Sequence, residues 1–523
     1  MTVGQMTVGQ ALVAGLAARG VEVVFGIPGV HTIELYRGLA GSGVRHVTVR
    51  HEQGAVFAAD GYARVSGRPG VAFVITGPGV TNALTAMAQA KADSVPVLVV
   101  SGVNRLGTLG RGLGHLHELP DQRGMVATLC PSFRVETAED LAPALDAAFA
   151  AMTAGRPGPA HIEVPLDVMA LPCPALPAPV AVVRPEPDAA EIAAAGAHLA
   201  GARAPVILAG GGAVRAGAAL RALAGRMDAP VVLTANARGL MAGHPLAVPA
   251  SPSLPAVRAL IAAADRVLAV GTEIGPTDYD MYAVGGVPDL SAMVRVDVCA
   301  EQLARHPAAV RVRGDAAAVL ERLVPGLAQG AGDGAARAAA ARLAARAGLD
   351  PHMPAQLAMV EAIRDALPGA VIVGDSTQPV YAGNLYFEHD RPGGWFNAAM
   401  GYGALGFAPG AALGAAVAGA APVVCLIGDG GLQFSPGELR SAVDEGLAIT
   451  YVVWNNAGFR EIAEAMRGAG APVIGCTPSP LRMEPFAAAC DLPFARVGME
   501  PAALCAALRG PQGGPRLIEV MAD

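Results

Sequence analysis

The segment CLIGDGGLQFSPGELRSAVDEGLAITYVVWNNAGF, residues 425–459, contains two apolar runs that each end in polar residues. The first run ends at Gly428-Asp429 and the second at Asn455-Asn456, which lies 27 residues after Asp429. The length and composition of both runs predict buried strands, with a helix between them. Adjacent parallel strands would bring Asp429 and Asn456 to the same edge of a sheet.

Oxygen ligands for a metal ion are concentrated in this segment. The Asp429 carboxylate, the Asn456 amide oxygen and the Gly458 carbonyl are hard ligands of the kind that Mg²⁺ prefers, and Mg²⁺ keeps positions for phosphate oxygens and water. Gly430 and Gly431 leave backbone N–H groups accessible to a diphosphate. Either half alone is also typical of a simple turn. The two halves together, at strand ends, favour a diphosphate and metal site.

Similar apolar runs alternate with Ala-rich stretches along the whole chain. Ten of them are VEVVFGI, VAFVITG, PVLVVSG, APVILAGG, APVVLTAN, RVLAVGT, MVRVDV, AVIVGDS, PVVCLIGD and ITYVVWNN. Continuous apolar strands separated by helices are typical of parallel sheets covered on both faces. A Pro-rich stretch at 171–188 and a low-complexity stretch at 330–351 divide the chain. We therefore predict an α/β protein with three doubly wound parallel-sheet domains, over residues 1–172, 188–330 and 351–523.

Residues 407–428, FAPGAALGAAVAGAAPVVCLIG, contain no charged side chain and are long enough to suggest a membrane span. Pro422 separates an Ala- and Gly-rich part from a β-branched part. This division favours a buried helix followed by a buried strand. We therefore expect no membrane segment.

The composition limits the classes of function. The chain has 523 residues, of which 53% are hydrophobic and 15% charged, as in a globular protein of several domains. The net charge of -7, without a local Lys/Arg cluster, disfavours nucleic-acid binding. Seven scattered cysteines without a CxxC pair favour a reduced, cytoplasmic setting. Because the N-terminus has no basic region followed by a long apolar core, we expect no secretory signal, and its tandem MTVGQ resembles a duplicated start without function.

Glu52, in the stretch VRHEQGAVFAADGYARVSG at 49–67, opens a mostly apolar segment. An ionised carboxylate is costly there unless a specific partner receives it. In one interpretation Glu52 caps the following helix. In the other it takes part in proton transfer. The stretch alone favours the helix cap.

The GDG and NN motifs at this spacing resemble the thiamine diphosphate motif. RHEQGAVFAADGYAR and GPGVTNALTAMAQAKADSVPVLVVSG resemble the pyrimidine-binding domain of the acetolactate synthase and 2-oxo acid decarboxylase superfamily. The resemblance covers essentially the whole chain, in the order pyrimidine, middle and diphosphate domain. It implies thiamine diphosphate and Mg²⁺ as cofactors, and a homodimer or homotetramer with active sites at the subunit interface. Because GTEIGPTDYD stands where a flavin pattern of RFDDR type would be, we expect no FAD.

The resemblance also implies roles for single residues. Asp429, Asn456 and the Gly458 carbonyl would hold Mg²⁺. Glu52 would hydrogen-bond a pyrimidine nitrogen of the cofactor of the neighbouring subunit. That bond favours the tautomer that removes the C2 proton of the thiazolium ring.

In the segment GYGALGF, the Gly403 carbonyl would accept from the exocyclic amine of the cofactor, and Leu405 would support its bent shape. The GDST loop at 374–377 would contact the diphosphate from the other side. The expected cofactor-binding residues are Glu52, Pro78, Asp375, Ser376, Thr377, Gly403, Leu405, Gly428, Asp429, Gly430, Gly431, Asn456 and Gly458.

Two outcomes are open once carbon dioxide has left a 2-oxo acid. Protonation releases an aldehyde, whereas attack on a second carbonyl gives a longer hydroxyketone. The segments FGIPGVHTIELYRGLAGSGVRHVTVRHEQGA, LHELPDQR, GDSTQPVYAGNLYF and GDGGLQF are most similar to 5-guanidino-2-oxopentanoate (2-ketoarginine) decarboxylase-like proteins. This similarity implies non-oxidative decarboxylation of a 2-oxo acid, with that compound as the substrate candidate. An acetolactate synthase-like carboligase is the alternative.

A substrate with a guanidinium group needs carboxylates in a fork geometry. Three acids lie on predicted active-site loops, namely Glu118, Asp375 and Glu461. Each has a structural alternative. Glu118 would form a surface salt bridge, Asp375 would cap a helix, and Glu461 would occupy a first helical turn. We favour Glu461 slightly, because its loop follows the predicted metal ligands.

His117 lies where relatives place a polar residue near the reacting carbon, and a histidine transfers protons near neutral pH. His31 follows GIPGV on another predicted active-site loop, and Val30 stands where some decarboxylases have an acid. A loop histidine is more often simply solvated. The candidate catalytic residues are Glu52, His117 and Glu461. The candidate substrate contacts are Val30, His31, His117, Glu118, Asp375 and Glu461.

Overall fold

The computed structural model describes residues 6–281, 285–330, 332–510 and 513–522. These described residues form three six-stranded parallel sheets, one after another along the chain. Alternate side chains of each sheet enter two different hydrophobic cores, so both faces of each sheet are covered. The predicted α/β fold of three doubly wound domains is therefore confirmed. All ten quoted apolar runs contain strands.

The first domain contains six strands and seven helices among the described residues. Its strands are β1 (Val23–Gly26), β2 (Arg45–Thr48), β3 (Gly70–Val74), β4 (Val97–Val103), β5 (Ser132–Arg134) and β6 (Pro159–Pro165). Its helices are α1 (Val8–Ala18), α2 (Ile33–Leu39), α3 (Glu52–Ser66), α4 (Pro78–Ala92), α5 (Gln122–Ala127), α6 (Leu141–Thr153) and α7 (Leu166–Met169). The strand order is β2-β1-β3-β4-β6-β5. Thr7, in the second MTVGQ copy, caps α1, and the first copy lies outside the described residues.

The middle domain has a different strand order. Its strands are β7 (Pro205–Ala209), β8 (Val231–Leu233), β9 (Ala247–Val248), β10 (Arg266–Val270), β11 (Val294–Asp297) and β12 (Val310–Arg313). Its helices are α8 (Ala189–Leu199), α9 (Gly217–Met227), α10 (Pro255–Ala262), α11 (Pro276–Tyr279), α12 (Ala300–Ala304) and α13 (Ala316–Leu323). The order is β12-β11-β10-β7-β8-β9, so the first and fourth strands of the domain lie side by side at its centre. The low-complexity stretch that follows forms the helix α14 (Gly334–Ala347).

The third domain repeats the strand order of the first, position by position. Its strands are β13 (Val371–Gly374), β14 (Trp395–Asn397), β15 (Val423–Gly428), β16 (Ile449–Asn455), β17 (Phe494–Val497) and β18 (Arg516–Met521). Its helices are α15 (Met353–Ala366), α16 (Gln378–Leu385), α17 (Phe407–Val417), α18 (Asp429–Leu432), α19 (Glu438–Asp444), α20 (Arg460–Gly468), α21 (Met483–Ala489) and α22 (Pro501–Leu508). The order is β14-β13-β15-β16-β18-β17.

The uncharged segment 407–428 is α17 followed by β15, both almost entirely buried, as predicted. Over the described ranges, no helix combines the length and the apolar character needed to cross a membrane. Each of the three sheets falls inside one of the predicted domain ranges. The domain boundaries themselves stay predictions.

The first and third domains pack against each other through α3 and α17, which both follow the second strand of their sheets. Phe57 of α3 meets Phe407 of α17 edge to face, with ring centroids 5.3 Å apart. Arg64 of α3 donates to Asp60 and Asp93, and its guanidinium lies 5.7 Å from the Phe407 ring centre. Residues of both domains form one continuous hydrophobic core at this contact.

Candidate functional site

The carboxyl ends of β15 and β16 bring the predicted metal residues together. Asp429 begins α18 directly after β15, and Asn456 follows the last residue of β16. The backbone N–H of Asn456 donates to Asp429 Oδ1 at 3.4 Å, so the two motifs are adjacent. Burial raises the pKa of Asp429, against the N–H groups of Asn456, Gly430 and Gly458 around its carboxylate.

Asn456 has one side-chain atom with a partner and one without. Its Nδ2 donates to Gln378 Oε1 at 3.1 Å, and the same oxygen accepts from Trp454 Nε1 at 3.0 Å. These bonds fix the orientation of the amide. Its Oδ1 is buried and has no hydrogen-bond partner among the described residues. A buried acceptor without a partner is costly, and a Mg²⁺ ion would satisfy it.

The neighbouring Asn455 has a structural role. Its Nδ2 donates to Glu519 Oε1 at 2.6 Å, and its Oδ1 accepts from the Ala457 N–H at 3.0 Å. Ala457 takes a left-handed φ of 59°, and Gly458 and Phe459 follow it in the same loop. The Phe459 N–H donates to the Cys476 carbonyl at 2.9 Å. Asn455 therefore holds the loop in place and leaves Asn456 available as a ligand.

Gly430, directly after Asp429, packs against the ring of Phe459. A Cβ atom at Gly430 would lie 2.6 Å from a ring carbon of Phe459, closer than real Cβ contacts. A helix N-terminus without side chains at this point presents its N–H groups to an anion. The carboxylate of Asp429 and the unsatisfied oxygen of Asn456 fit a Mg²⁺ ion, and such an ion would bind the oxygens of a diphosphate.

Asp375, after β13, holds the loop that precedes α17. Its Oδ1 accepts from the Ser376 N–H at 2.9 Å and its Oδ2 from the Ala408 N–H at 3.1 Å. Burial raises the pKa of Asp375 to about 6, although these N–H groups oppose the shift. The carboxylate is fully enclosed, so it caps the start of α17 and offers no surface to a substrate. Thr377 is likewise buried and precedes α16.

Gly403 and Leu405 lie in the loop that Asp375 holds. Gly403 is exposed with a left-handed φ of 81°, and Leu405 is half-buried. Between them, the Ala404 N–H donates at 3.2 Å to Oε1 of Gln89, a buried residue of α4 in the first domain. Gln89 Nε2 also donates to the Ala398 carbonyl at 3.4 Å. Sequence reasoning missed Gln89, because a single Gln in an Ala-rich helix carries no signal for a contact with a distant loop.

Glu52 is the first residue of α3, and His51 is the residue that caps the helix. His51 Nδ1 accepts from the Gln53 N–H at 3.1 Å. The half-buried Glu52 instead accepts from Asn82 Nδ2 at 3.0 Å through its Oε2. Among the described residues this is the one hydrogen bond to its carboxylate, which lies at the carboxyl end of β2. The helix-cap interpretation of Glu52 is therefore replaced by a carboxylate oriented by Asn82.

His31 and His117 meet at the carboxyl ends of β1 and β4. Their rings are nearly perpendicular, with centroids 5.3 Å apart. His31 is buried and its Nδ1 has no hydrogen-bond partner among the described residues. Burial, and then the neighbouring His117, lower the pKa of His31. Val30 beside it is 68% exposed. The predicted cofactor contact Pro78, at the start of α4, is also exposed.

Gln122 connects this edge of the first domain to its buried core. It is buried, its Oε1 accepts from the Gly77 N–H at 2.8 Å, and its Nε2 donates to Glu163 Oε2 at 2.9 Å and to the Gly102 carbonyl at 3.0 Å. Glu163 in turn accepts from Arg134 Nε at 2.6 Å. Sequence reasoning singled out the LHELPDQR segment but not Gln122, because its partners lie on three other elements.

Two further acids differ in their surroundings. Glu118 accepts from the N–H groups of Leu113 at 3.1 Å and His115 at 2.9 Å, so it closes its own loop and forms no salt bridge among the described residues. Desolvation raises its pKa, but these N–H groups outweigh it and the pKa is lowered. Glu461 is exposed in the first turn of α20, as predicted. Burial, and to a lesser extent the charge of Glu461, raise the pKa of Tyr381 nearby.

A cavity among the described residues lies away from these side chains. It measures about 380 Å³ and is lined by the loops after β7 and β10, including Gly210, Gly212 and Thr272, where the three domains meet. None of the candidate site residues lines it.

Comparison with known proteins agrees with this geometry. Family models described as the N-terminal, central and C-terminal domains of thiamine pyrophosphate enzymes match residues 6–125, 192–323 and 375–520. The chain is 44% identical to a Pseudomonas aeruginosa protein named "Probable 2-ketoarginine decarboxylase AruI", over 90% of this chain and 86% of that protein. It is 32% identical to an acetolactate synthase of Mycobacterium bovis, over 86% of this chain and 76% of that protein. It is 28% identical to the acetolactate synthase isozyme 1 large subunit of Escherichia coli, over 86% and 82%.

The three domain matches follow the order of the three sheets, and two of them contain the residues at the candidate site. The predicted superfamily is thereby confirmed. This chain belongs to the thiamine pyrophosphate enzyme family and is a thiamine diphosphate-dependent enzyme.

Proposed function

We propose that this enzyme catalyses the Mg²⁺-dependent, non-oxidative decarboxylation of a 2-oxo acid with a long polar side chain, with 5-guanidino-2-oxopentanoate as the leading substrate. The observation that carries the metal and cofactor assignment is the buried, unsatisfied Asn456 Oδ1 beside the Asp429 carboxylate. The 44% identity to a protein named as a probable 2-ketoarginine decarboxylase supports the substrate.

The third domain would bind the cofactor. Asp429, Asn456 and the Gly458 carbonyl would hold Mg²⁺, while the N–H groups of Gly430 and Gly431 would face the diphosphate. When bound, thiamine diphosphate supplies the carbon that attacks the 2-oxo group and the sink for the electron pair that carbon dioxide leaves behind. This chain's own residues supply position and protons.

The first domain would move protons. Glu52 would hold a proton at the pyrimidine nitrogen of the cofactor, with Asn82 keeping its carboxylate in one orientation. His117, packed against His31, would deliver a proton to the product carbon. Burial lowers the pKa of His31 and so favours the neutral form of that ring.

Two copies of the chain would complete each site. Exposed apolar side chains lie near both sheet edges, with Val30 68% and Leu116 64% exposed in the first domain, and Tyr402 58% and Phe434 58% exposed in the third. Apolar surface of this kind favours burial against a partner. A homodimer or homotetramer would bring a first-domain edge against the third-domain edge of another copy. The seven free cysteines support a reducing, cytoplasmic location.

Glu461 is the favoured contact for a guanidinium group. Of the three acids considered, Glu118 is occupied by backbone N–H groups and Asp375 is enclosed, whereas Glu461 is exposed beside the metal loop. A carboxylate there could pair with a guanidinium through two hydrogen bonds. Glu461→Gln should therefore raise KM for 5-guanidino-2-oxopentanoate about tenfold and leave KM unchanged for a 2-oxo acid with an uncharged side chain.

The decisive experiment is a panel of 2-oxo acids incubated with the purified holoenzyme, with carbon dioxide release and carbonyl products measured separately. Aldehyde from the guanidino substrate supports the proposal. A hydroxyketone longer than the substrate would instead support the carboligase alternative, which the 32% identity to an acetolactate synthase favours.

The same assay tests Glu52. Glu52→Gln keeps the size and the hydrogen bond to Asn82 but cannot hold the proton, so turnover should fall by about 10² to 10⁴. Full turnover of this variant at saturating cofactor would overturn the proton role. Glu445→Gln, on the exposed surface pair with Arg45, is the matched control.

A further inference from the structure

Glu438, the first residue of α19 in the third domain, holds the backbone directly before Glu52 in the first domain. Its Oε1 accepts from the N–H groups of Arg50 and His51, both at 3.1 Å, and its Oε2 accepts from the Ser441 hydroxyl at 2.9 Å. Only 1% of the residue is exposed. We refer to Glu438 with residues 50 and 51 as the Glu438 clamp.

The clamp is closely packed from the side of α3. A Cβ atom at Gly54, in the first turn of α3, would lie 2.2 Å from Glu438 Oε1. No larger side chain fits at Gly54 unless the carboxylate moves. The N–H groups of Arg50 and His51, which donate to Glu438, precede α3, so no carbonyl group of that helix accepts from them.

A buried carboxylate is retained at some cost to the fold. Burial raises the pKa of Glu438, and the Ser441 hydroxyl and the two N–H groups lower it again. A buried acid that accepts hydrogen bonds from another domain favours one arrangement of the two domains. Because Glu438 bonds the residues directly before Glu52, the same contact also fixes the segment that carries Glu52.

We propose that Glu438 is a positioning residue for Glu52, because its carboxylate fixes the backbone of residues 50 and 51 and with it the direction of the Glu52 side chain. This inference rests on the proposed proton role of Glu52. Proton transfer requires heavy atoms at hydrogen-bond distance, so a small displacement of α3 would slow it.

A reciprocal contact supports this interpretation. Gln89 of α4 in the first domain holds the Gly403 to Leu405 loop of the third domain through Ala404. The α4 and α19 helices both lie after the third strand of their sheets, and each reaches the loop after the second strand of the other domain. In both domains a buried polar side chain therefore fixes a segment that is expected to contact the cofactor.

The alternative is that Glu438 only joins the two domains. Arg50 also pairs with Asp444, at the other end of α19, through an ion pair that is partly exposed. Asp444→Asn removes a side-chain contact between the same segments and leaves the hydrogen bonds of Glu438 in place. It is therefore the matched control.

The first measurement uses the cofactor-free enzyme and hydrogen–deuterium exchange of the peptide that covers residues 48–56. Glu438→Ala should speed exchange of the Arg50 and His51 amides at least about tenfold, because both lose their acceptor. Glu438→Gln, whose amide oxygen accepts the same two bonds, should stay within about twofold of the parent, as should Asp444→Asn.

The second measurement follows exchange of the thiamine diphosphate C2 proton with deuterated solvent in the loaded enzyme. Glu438→Ala should slow this exchange about tenfold or more, Glu438→Gln should largely restore it, and Asp444→Asn should leave it unchanged. A Glu438→Ala variant that loosens residues 50–51 yet keeps the parental C2 exchange rate would overturn the positioning role.

A Glu52→Gln arm separates this inference from the function on which it rests. If Glu52→Gln keeps the parental C2 exchange rate, the proton role of Glu52 is wrong. If Glu52→Gln slows it and Glu438→Ala does not, only the positioning role is wrong. Should Glu438→Ala fail to fold, Gly54→Ala displaces the carboxylate from the opposite side, and it should reproduce both effects or overturn the proposal.

Discussion

The first and third domains share one strand order and pack through equivalent helices, yet their sheet edges carry different chemistry. After the third strand the first domain has Gly77-Pro78, where the third domain has Gly428-Asp429. After the fourth strand the first domain has a long loop with His117, where the third domain has Asn456. The topology places these loops side by side, and the residues in them decide what each edge can bind.

The two edges also differ in how their polar groups are satisfied. In the third domain the carboxylate of Asp375 is enclosed by backbone N–H groups, and the acceptor Asn456 Oδ1 has no partner among the described residues. In the first domain the corresponding side chains are Glu52 and the paired rings of His31 and His117, which are of the types that serve as general acids and bases. The proposed function therefore divides the work, so that one edge binds the cofactor and the other transfers protons.

The largest expected effect tests that division. Asp429→Asn removes the charge of a proposed metal ligand and should weaken Mg²⁺-dependent cofactor binding by about 100-fold or more, or roughly 3 kcal/mol. Glu52→Gln should change the cofactor affinity by no more than about threefold, because it removes an ionisable group and leaves the proposed metal ligands in place. Titration of the apoenzyme with thiamine diphosphate at fixed Mg²⁺, followed by the fluorescence of its two tryptophans, measures both affinities.

Asp444→Asn is the control for the loss of an acidic side chain in the same domain. Equal losses of affinity in Asp429→Asn and Glu52→Gln would break the division between a binding edge and a proton-transfer edge. A loss of affinity in Asp444→Asn would point to a general effect on folding.

An intermediate effect is expected at Gln122. Gln122→Leu leaves the Gly77 N–H and a Glu163 oxygen without partners in the buried core of the first domain, which should lower the free energy of unfolding by about 2 to 4 kcal/mol. Gln122 holds the backbone of Gly77, which packs against His117. Its loss should therefore lower kcat about tenfold and leave the cofactor affinity unchanged. Denaturant titration, kinetics and binding measurements separate these effects.

The exposed Gln329→Leu in the middle domain is the matched control and should change none of the three quantities. If Gln122→Leu weakened cofactor binding as strongly as it lowers kcat, the first-domain edge would contribute to binding, contrary to the division above.

The smallest expected effect is on the pH dependence of stability, and it arises in the first domain. His161 is fully buried between the hydroxyls of Ser101 and Ser132, at 2.9 and 2.8 Å, and burial lowers its pKa to about 3. The unfolded chain binds a proton here below about pH 6.5, whereas the folded chain does not until about pH 3. His161 therefore does not reduce the free energy of unfolding above about pH 6.5. As the pH falls below that value, its contribution lowers the free energy of unfolding by about 1.4 kcal/mol per pH unit.

His161→Gln removes this titration and should flatten the loss of stability between pH 6 and 5, compared with the parent, in denaturant titrations at each pH. The exposed His352→Gln should leave the parental slope intact. An unchanged slope in His161→Gln would mean that His161 is protonated in the folded protein.

The residues that sequence reasoning placed correctly are those with local signals. Asp429 and Asn456 sit at the ends of long apolar strands, so periodicity and spacing sufficed to bring them together. The twenty-two uncharged residues at 407–428 were placed as helix and strand because Pro422 divides them. For Glu52 the sequence could name the family role but not Asn82, its hydrogen-bond partner on another helix.

The residues that were missed act through contacts between distant segments. Gln89, Gln122 and Glu438 are buried polar side chains whose partners lie on other elements, and nothing in their local sequence distinguishes them from exposed residues. The bonds of Glu118 could not be predicted either, because they depend on the shape of its loop. Periodicity reports which face of an element is buried, but not which distant backbone group a buried side chain meets.

The Glu438 clamp also bears on the order in which the protein is built. The bond between Glu438 and the Arg50 N–H joins residues 388 positions apart, so the segment that carries Glu52 is synthesised long before its partner exists. A ribosome-bound chain can complete the sheet of the first domain but must leave residues 50 and 51 with unpaired amides until the third domain has emerged. Maturation of the proton-transferring edge is therefore expected to be one of the last steps of folding, after both sheets have formed.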